Sequence, residues 1–258
     1  MKRLNWTTTS HLEISGTRIP LGTLDLNSSK LQTELQKERA IDRMTGLIWP
    51  LVRVRDNLFI DGFIEWIIGR WIREFSNSSG AFLEIGCGDM SLQKYLPRGA
   101  WYNAFDLSFS EFHLRRVLRS NRWLNLALAS VTDIPLDEGV ATLLASTQVL
   151  EYVSKVDHAL DEIYRVSANG SKLLVSVANG HCRKYQTKGP HWMHVNFWSK
   201  QEFVELMATH NFRLTRFDTR GYWIPLPVKL VSASYELPIR SRAENLNSYL
   251  FFVFEVLK

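Results

Sequence analysis

The chain has 258 residues, 45% of them hydrophobic, which suits one large domain, or a domain with an extension, around a packed core and excludes a disordered chain. Its formal charge of +5 comes from Lys and Arg interleaved with Asp and Glu, without a run of about five or six like charges, and tilts it only slightly toward an anionic partner. Two cysteines, Cys87 and Cys182, cannot build a disulfide framework, the start lacks an apolar leader, and no stretch reaches the roughly eighteen apolar residues of a membrane span; a cytoplasmic protein with no membrane span is expected.

Residues 1–30 are polar, rich in Thr and Ser, and show no sustained period, which predicts an irregular arm. A thin apolar face predicts a helix over 31–44, ended by Gly46 and Pro50. A second helix, 58–75, carries Phe59, Phe63, Trp66, Ile67, Trp71 and Ile72 as a stripe expected to pack on a sheet. Strands then alternate with helices. Strands are expected at 81–85, 100–105, 124–129, 141–146 and 172–177, with helices at 91–96, 110–120 and 156–167, the last closed by Asn169 and Gly170. Right-handed crossovers then give a parallel sheet covered on both faces, with ligands at the carboxyl ends of its strands. Ser199-Lys200-Gln201-Glu202 reads as a capping box opening a helix that runs to His210. Two more strands follow at 213–219 and 249–257.

The stretch Phe82-Leu83-Glu84-Ile85-Gly86-Cys87-Gly88-Asp89-Met90 is built to approach a ligand with its backbone: an apolar strand carries a carboxylate, and two glycines one residue apart open a turn. Asp106 follows Glu84 by 22 residues, at the end of the second predicted strand. A carboxylate there can accept both hydroxyls of a ribose. A dinucleotide fingerprint needs a third glycine where this chain has Ser91, which argues against NAD.

These motifs, in this order, resemble the class I S-adenosylmethionine-dependent methyltransferases. Leu83–Gly88 is similar to the family's first motif, Phe105-Asp106-Leu107-Ser108 to its second, and Val149-Leu150-Glu151-Tyr152-Val153 to its fourth-strand motif. Ile134-Pro135-Leu136, Glu162-Ile163-Tyr164-Arg165-Val166 and His194-Val195-Asn196-Phe197-Trp198-Ser199 match later segments, so the likeness runs from Gly80 to the C-terminus. It implies an α/β, Rossmann-like seven-stranded sheet, mostly parallel with an antiparallel last strand and helices on both faces. The expected organisation is an N-terminal arm over 1–40 and a methyltransferase domain over 41–258, with a helical N-terminal extension and insertions at 178–198 and 220–248.

The resemblance implies S-adenosylmethionine as cofactor; His181, Cys182, His191 and His194 are potential ligands in one loop, but their spacing matches no standard zinc pattern, and no metal is expected. Glu84, with the backbone of the turn at Gly86, Cys87 and Gly88, would hold the methionine part, Asp106 the ribose hydroxyls, and Leu107 would lie against adenine. Ser130 and Val131 would meet the adenine edge, and the backbone at Thr147 and Gln148 would flank the sulfonium. The chain departs from the family at three places. Met90 stands at a usual third glycine, Ser130 at a frequent Asp, with Asp133 as a substitute, and Tyr152 at a frequent His.

A sulfonium methyl is already electrophilic, so the protein has mainly to place a nucleophile in line and exclude water. A general base adds about 10²- to 10⁴-fold for a hydroxyl acceptor. His194 is the candidate base, with His191 and Tyr152 beside it as further catalytic candidates. The expected acceptor is a small molecule presenting an O, N or C nucleophile, such as a sugar or other polar metabolite. The alternatives are an RNA or protein methyltransferase, for which the mild basicity leaves nucleic acid open as a partner, and a non-catalytic S-adenosylmethionine-binding protein. The oligomeric state is left open.

Overall fold

The computed structural model describes residues 1–14, 17–22, 61–109, 111–118, 123–189, 193–224 and 235–258. The predicted helix at 31–44 and Phe59 lie outside the described residues. Its centre is an eight-stranded sheet in the order β5-β4-β3-β6-β7-β10-β8-β9. The strands are β3 (Phe82–Ile85), β4 (Tyr102–Asp106), β5 (Leu124–Leu128), β6 (Ala141–Thr147), β7 (Ser167–Ala178), β8 (Phe212–Ile224), β9 (Tyr235–Leu237) and β10 (Asn247–Val256). The five from β5 to β7 are mutually parallel, whereas β10 runs antiparallel to both β7 and β8, and β9 antiparallel to β8. The sheet therefore has eight strands, not seven. The extra one, β9, pairs with the last three residues of β8, which runs five residues past the predicted end at 219.

The helices are α1 (Asp61–Phe75), α2 (Glu111–Leu118), α3 (Val156–Val166), α4 (Arg183–Lys188) and α5 (Lys200–Thr209). In α1, Phe63, Ile64, Ile67, Ile68, Trp71 and Ile72 are buried at helical spacing. Trp66, expected in that stripe, is 46% exposed, because the period of 3.6 carries it past the edge of the buried face. Gly69 lets α1 approach the 3₁₀ turn Ser91–Tyr95 closely, since a Cβ there would strike the Tyr95 ring. That segment, expected as α-helix, is too short for more than one 3₁₀ turn. In α5 the predicted capping box is present: Ser199 N donates to Glu202 Oε2 at 2.7 Å and Glu202 N to Ser199 Oγ at 3.3 Å.

Two apolar layers flank the sheet. One holds Leu83, Ile85, Phe105, Leu160, Phe203, Phe252 and Phe254, and the other Phe82, Tyr102, Phe251 and the buried face of α1. Because β10 has both faces covered, it reads as a nearly continuous apolar run rather than an alternating one.

The first residues are more ordered than their composition predicts. β1 (His11–Ile14) and β2 (Thr17–Pro20) form a hairpin, and Leu21 bridges to Leu128 beside the edge strand β5. Leu4 N donates to Asn103 Oδ1 and Asn125 Nδ2 to Leu4 O, both at 2.8 Å. With Leu4 in one apolar layer and Ile19 in the other, residues 1–22 wrap β5 and cover an otherwise open edge. No helix among the described residues is long and apolar enough to cross a membrane.

Candidate active site at the carboxyl ends of the parallel strands

At the carboxyl end of β3 the chain makes a turn in which Gly86, Gly88 and Met90 all have positive φ, at 65°, 45° and 58°. Gly86 N and Cys87 N both donate to Phe105 O, at 3.0 and 3.2 Å, and Met90 N closes on Cys87 O at 2.6 Å. A Cβ at Gly86 would collide with Val149 Cγ2, so the turn after β6 sits directly against the glycine turn. A Cβ at Gly88 would meet nothing within 4 Å. Among the described residues Gly88 therefore faces open space, and its missing side chain leaves room for a ligand. Met90 keeps the backbone that a third glycine would adopt, and its fully buried side chain sits in the apolar layer under α1. Burial of that side chain offsets the cost of a left-handed non-glycine residue, roughly 1–3 kcal/mol.

Asp106, at the end of β4, is tied to this turn. Its Oδ2 accepts from Gly88 N at 2.8 Å and its Oδ1 from Leu107 N at 2.7 Å, which orients the carboxylate at the rim of the crevice. Leu107 follows with 41% of its surface exposed, an apolar platform at the same rim. Across the turn after β5, Val131 is buried, and Ser130 Oγ is engaged with Thr132 Oγ1 at 2.7 Å. Asp133 is exposed and lines a separate cavity of about 560 Å³ with Thr7–Thr9, Gly22 and Arg165. Thr147 ends β6, and Gln148, at φ 53°, donates through its backbone N to Ser176 O at 2.9 Å.

Glu84 is placed otherwise than its neighbours in the motif. It is 2% exposed beneath the turn, on the α1 side of the sheet, and accepts from Tyr102 Oη at 2.6 Å. Burial pushes its carboxyl well above the usual carboxylate range, against the smaller opposing effect of the Tyr102 hydrogen bond. Burial likewise raises the thiol of Cys87.

Beyond β6, His194 Nε2 and Tyr152 Oη are 3.1 Å apart, their rings in edge contact with centroids at 4.8 Å. The rings of Tyr185 and Phe197 stand 6.1 Å from His194. His191 lies outside the described residues. The segment carrying His194 is pinned to the 3₁₀ turn Leu150–Tyr152: Val195 N and Asn196 N donate to Glu151 O at 2.8 and 3.1 Å, and Asn196 Nδ2 to Val153 O at 2.7 Å.

Sequence reasoning missed Glu151. Its side chain is 1% exposed; Oε1 accepts from Ala178 N at 3.3 Å, and Oε2 is buried with no hydrogen-bond partner among the described residues. Burial raises its pKa to about 7. The available signal was a carboxylate inside the apolar run Val149–Val153, in a place where a charge is costly. Among the described residues, no group of three or more His, Cys, Asp or Glu is placed to hold a metal ion; His181 instead pairs with Glu202 at 3.3 Å.

The family model described as "Methyltransferase domain" matches residues 83–175, which take in the glycine turn, Asp106 and β6 with the turn after it. Over residues 83–175 the chain is similar to the class I S-adenosylmethionine-dependent methyltransferases. Methyl transfer from S-adenosylmethionine is the chemistry of the proteins that this stretch resembles. Solved structures support the fold beyond those bounds. A S-adenosylmethionine-dependent methyltransferase from Methanosarcina mazei is 14% identical, covering 72% of this chain and 97% of its own, with a TM-score of 0.55. The geranyl diphosphate C-methyltransferase of Streptomyces coelicolor A3(2), solved with Mg2+, geranyl diphosphate and S-adenosyl-L-homocysteine, is 15% identical over 75% and 81%, with a TM-score of 0.56. The [4+2]-cyclase SpnF shares the fold too, at 12% identity over 74% and 80%, with a TM-score of 0.53. No curated protein sequence matches the chain.

The residues of this stretch fit the cofactor on the structure's own terms. An oriented carboxylate and an exposed apolar platform lie beside Gly88, where no side chain of the described residues comes within 4 Å of the missing Cβ. Two motifs of the stretch also prove to be one clamp. Arg165 donates to Glu162, to Ile134 O and to Leu136 O, each at 2.7 Å, so α3 holds the turn that leads into β6.

Proposed function

We propose that the chain transfers a methyl group from S-adenosylmethionine to a small polar molecule bound beside Tyr152, Tyr185, His194 and Phe197. The observation that carries this reading is Asp106, held by Gly88 N and Leu107 N at the carboxyl end of β4, within the stretch that the methyltransferase-domain model matches. In it, Asp106 takes the ribose hydroxyls, Leu107 and Val131 flank the adenine with Ser130 at its edge, and the glycine turn and Gln148 border the methionine part. When bound, the cofactor supplies an electrophilic sulfonium methyl. Glu84 stiffens the turn from below through Tyr102, and Asp133 serves the adenine edge only as a remote charge.

Tyr152 Oη and His194 Nε2 form the proton-accepting pair. The imidazole takes the proton of an acceptor hydroxyl at Nε2, directly or through Tyr152 Oη, and Tyr185 and Phe197 exclude water around it. Glu151 positions that pair, since its backbone oxygen anchors both Val195 and Asn196.

The test is transfer of a labelled methyl from S-adenosylmethionine into fractionated extract, sorted into small molecules, RNA and protein. Label in the small-molecule fraction upholds the reading, and label confined to RNA or protein replaces the acceptor. Binding without transfer into any fraction leaves a non-catalytic cofactor-binding protein. With a hydroxyl acceptor, His194→Gln lowers kcat by about 10²-fold while cofactor affinity is unchanged; unchanged turnover removes His194 from the mechanism.

A further inference from the structure

On the far side of the sheet from the strands that carry Asp106 and Gln148, α1 and β8 enclose a cavity of about 290 Å³ that methyl transfer does not use. Arg216, Asp218 and Arg220 stand opposite Val253, Phe251 and Tyr249 of β10 in register, so their side chains share the face that α1 covers. The α1 wall is aromatic, made by Trp66 and Trp71, and the β8 wall is basic. Arg70 and Arg240 also line it, with Ile67 and Phe217.

Charge and shape together point to a ligand. Among the described residues, four guanidinium groups line the cavity, and two carboxylates meet them. Arg216 is bidentate to Glu74, both bonds at 2.7 Å, while Arg220 bonds Asp218 at 3.0 Å and Arg240 stands 3.9 Å from the same carboxylate. Arg70 lies over the Trp66 ring, 4.9 Å from its centroid, and acts on Glu74 through space. Of these pairs only Arg216–Glu74 joins α1 to the sheet. The guanidinium groups here outnumber the carboxylates by two, an excess that an anion would offset, and the guanidinium fork matches phosphate oxygens. The half-exposed Trp66 gives that anion an apolar neighbour.

We infer that the α1–β8 cavity binds a phosphate group carried on an aromatic or apolar body, at a site separate from the cofactor crevice. Three strand spacings divide β6 from β8, about 14 Å, so this phosphate belongs to a second ligand or to the far end of an extended acceptor. A nucleoside monophosphate and a nucleic-acid strand both offer this chemistry.

The test is a titration of the full chain, kept saturated with S-adenosyl-L-homocysteine so that the crevice is closed to the probes. Inorganic phosphate, phenyl phosphate, adenosine monophosphate and a short single-stranded RNA are the four arms, followed by calorimetry and by the indole signals of Trp66 and Trp71. Phenyl phosphate is expected to saturate at lower concentration than inorganic phosphate and to shift both indoles. Arg220→Gln and Arg240→Gln are each expected to weaken it by about tenfold, the loss of one charge-assisted hydrogen bond. Arg240 is largely exposed, so its variant folds even if Arg220→Gln does not. RNA binding no tighter than the monophosphate assigns the site to a small phosphate ester, and RNA binding tenfold tighter assigns it to a strand; either upholds it. No saturable shift from any probe, or a shift unchanged in both variants, overturns it. The arginines lie outside the cofactor crevice, so the result stands whether or not the chain transfers methyl groups.

Discussion

The parallel half of the sheet, β5 to β7, and the antiparallel half, β10 to β9, build their sites from different materials. In the parallel half the crevice is made of backbone: three alternate residues with positive φ, a shared acceptor at Phe105 O, and a carboxylate held by two main-chain N–H groups. In the antiparallel half the candidate contacts are side chains brought from α1, β8 and the segment after β9, and function there depends on which arginines and aromatics meet. A backbone site tolerates sequence change wherever the conformation survives, as Met90 shows by keeping a glycine's φ. A side-chain site does not.

The largest effect expected from this contrast is at Gly86. Gly86→Ala places a Cβ against Val149 at a φ of 65°, and is expected to destabilise the fold by about 3 kcal/mol and to weaken cofactor binding by more than about tenfold. Denaturant unfolding together with equilibrium binding checks it. A variant that binds and unfolds like the wild type breaks the claim that backbone conformation makes this crevice.

Glu151, at the junction of the halves, gives a pH signature. Its folded pKa of about 7 lies above the unfolded carboxylate value, so the folded state holds the extra proton and the residue's contribution to stability falls as pH rises from about 4.5 to 7. Over that window the wild type is expected to lose roughly 3 kcal/mol relative to Glu151→Gln, with no further change above pH 8. Urea unfolding of both proteins at several pH values measures this. A constant difference between them shows that the carboxyl titrates normally.

Met90→Gly is expected to have the smallest effect. It relieves roughly 1 kcal/mol of backbone strain and gives up about 2–3 kcal/mol of side-chain burial, for a net loss near 1–2 kcal/mol with cofactor affinity unchanged within about threefold. A larger loss of affinity means that the thioether reaches the ligand.

The same contrast explains what the sequence disclosed. The glycine turn, Asp106 and the Ser199–Glu202 capping box were legible because each depends on local spacing and on residue types with few other uses. Strand boundaries in the parallel half were met within about two residues except at β7, which begins at Ser167 and runs through Asn169 and Gly170, taken as a helix end. The hairpin at 11–20, the strand β9 and the arginine cavity were not legible. Each depends on pairing between segments distant in sequence, where local propensity carries no signal. Trp66 and Glu151 failed for a related reason, since periodicity and motif likeness say which element a residue is on and not which neighbours it meets.

The central claim is that the crevice at Asp106 holds S-adenosylmethionine. Its most direct measurement is equilibrium binding of that cofactor and of S-adenosyl-L-homocysteine to the wild type and to Asp106→Asn, which keeps the acceptor for one main-chain N–H but loses the charge that two ribose hydroxyls share. Saturable binding of both ligands by the wild type, weakened by about tenfold or more in Asp106→Asn with the fold intact, is the expected result. Absence of saturable binding by the wild type, or equal affinity in the variant, contradicts it.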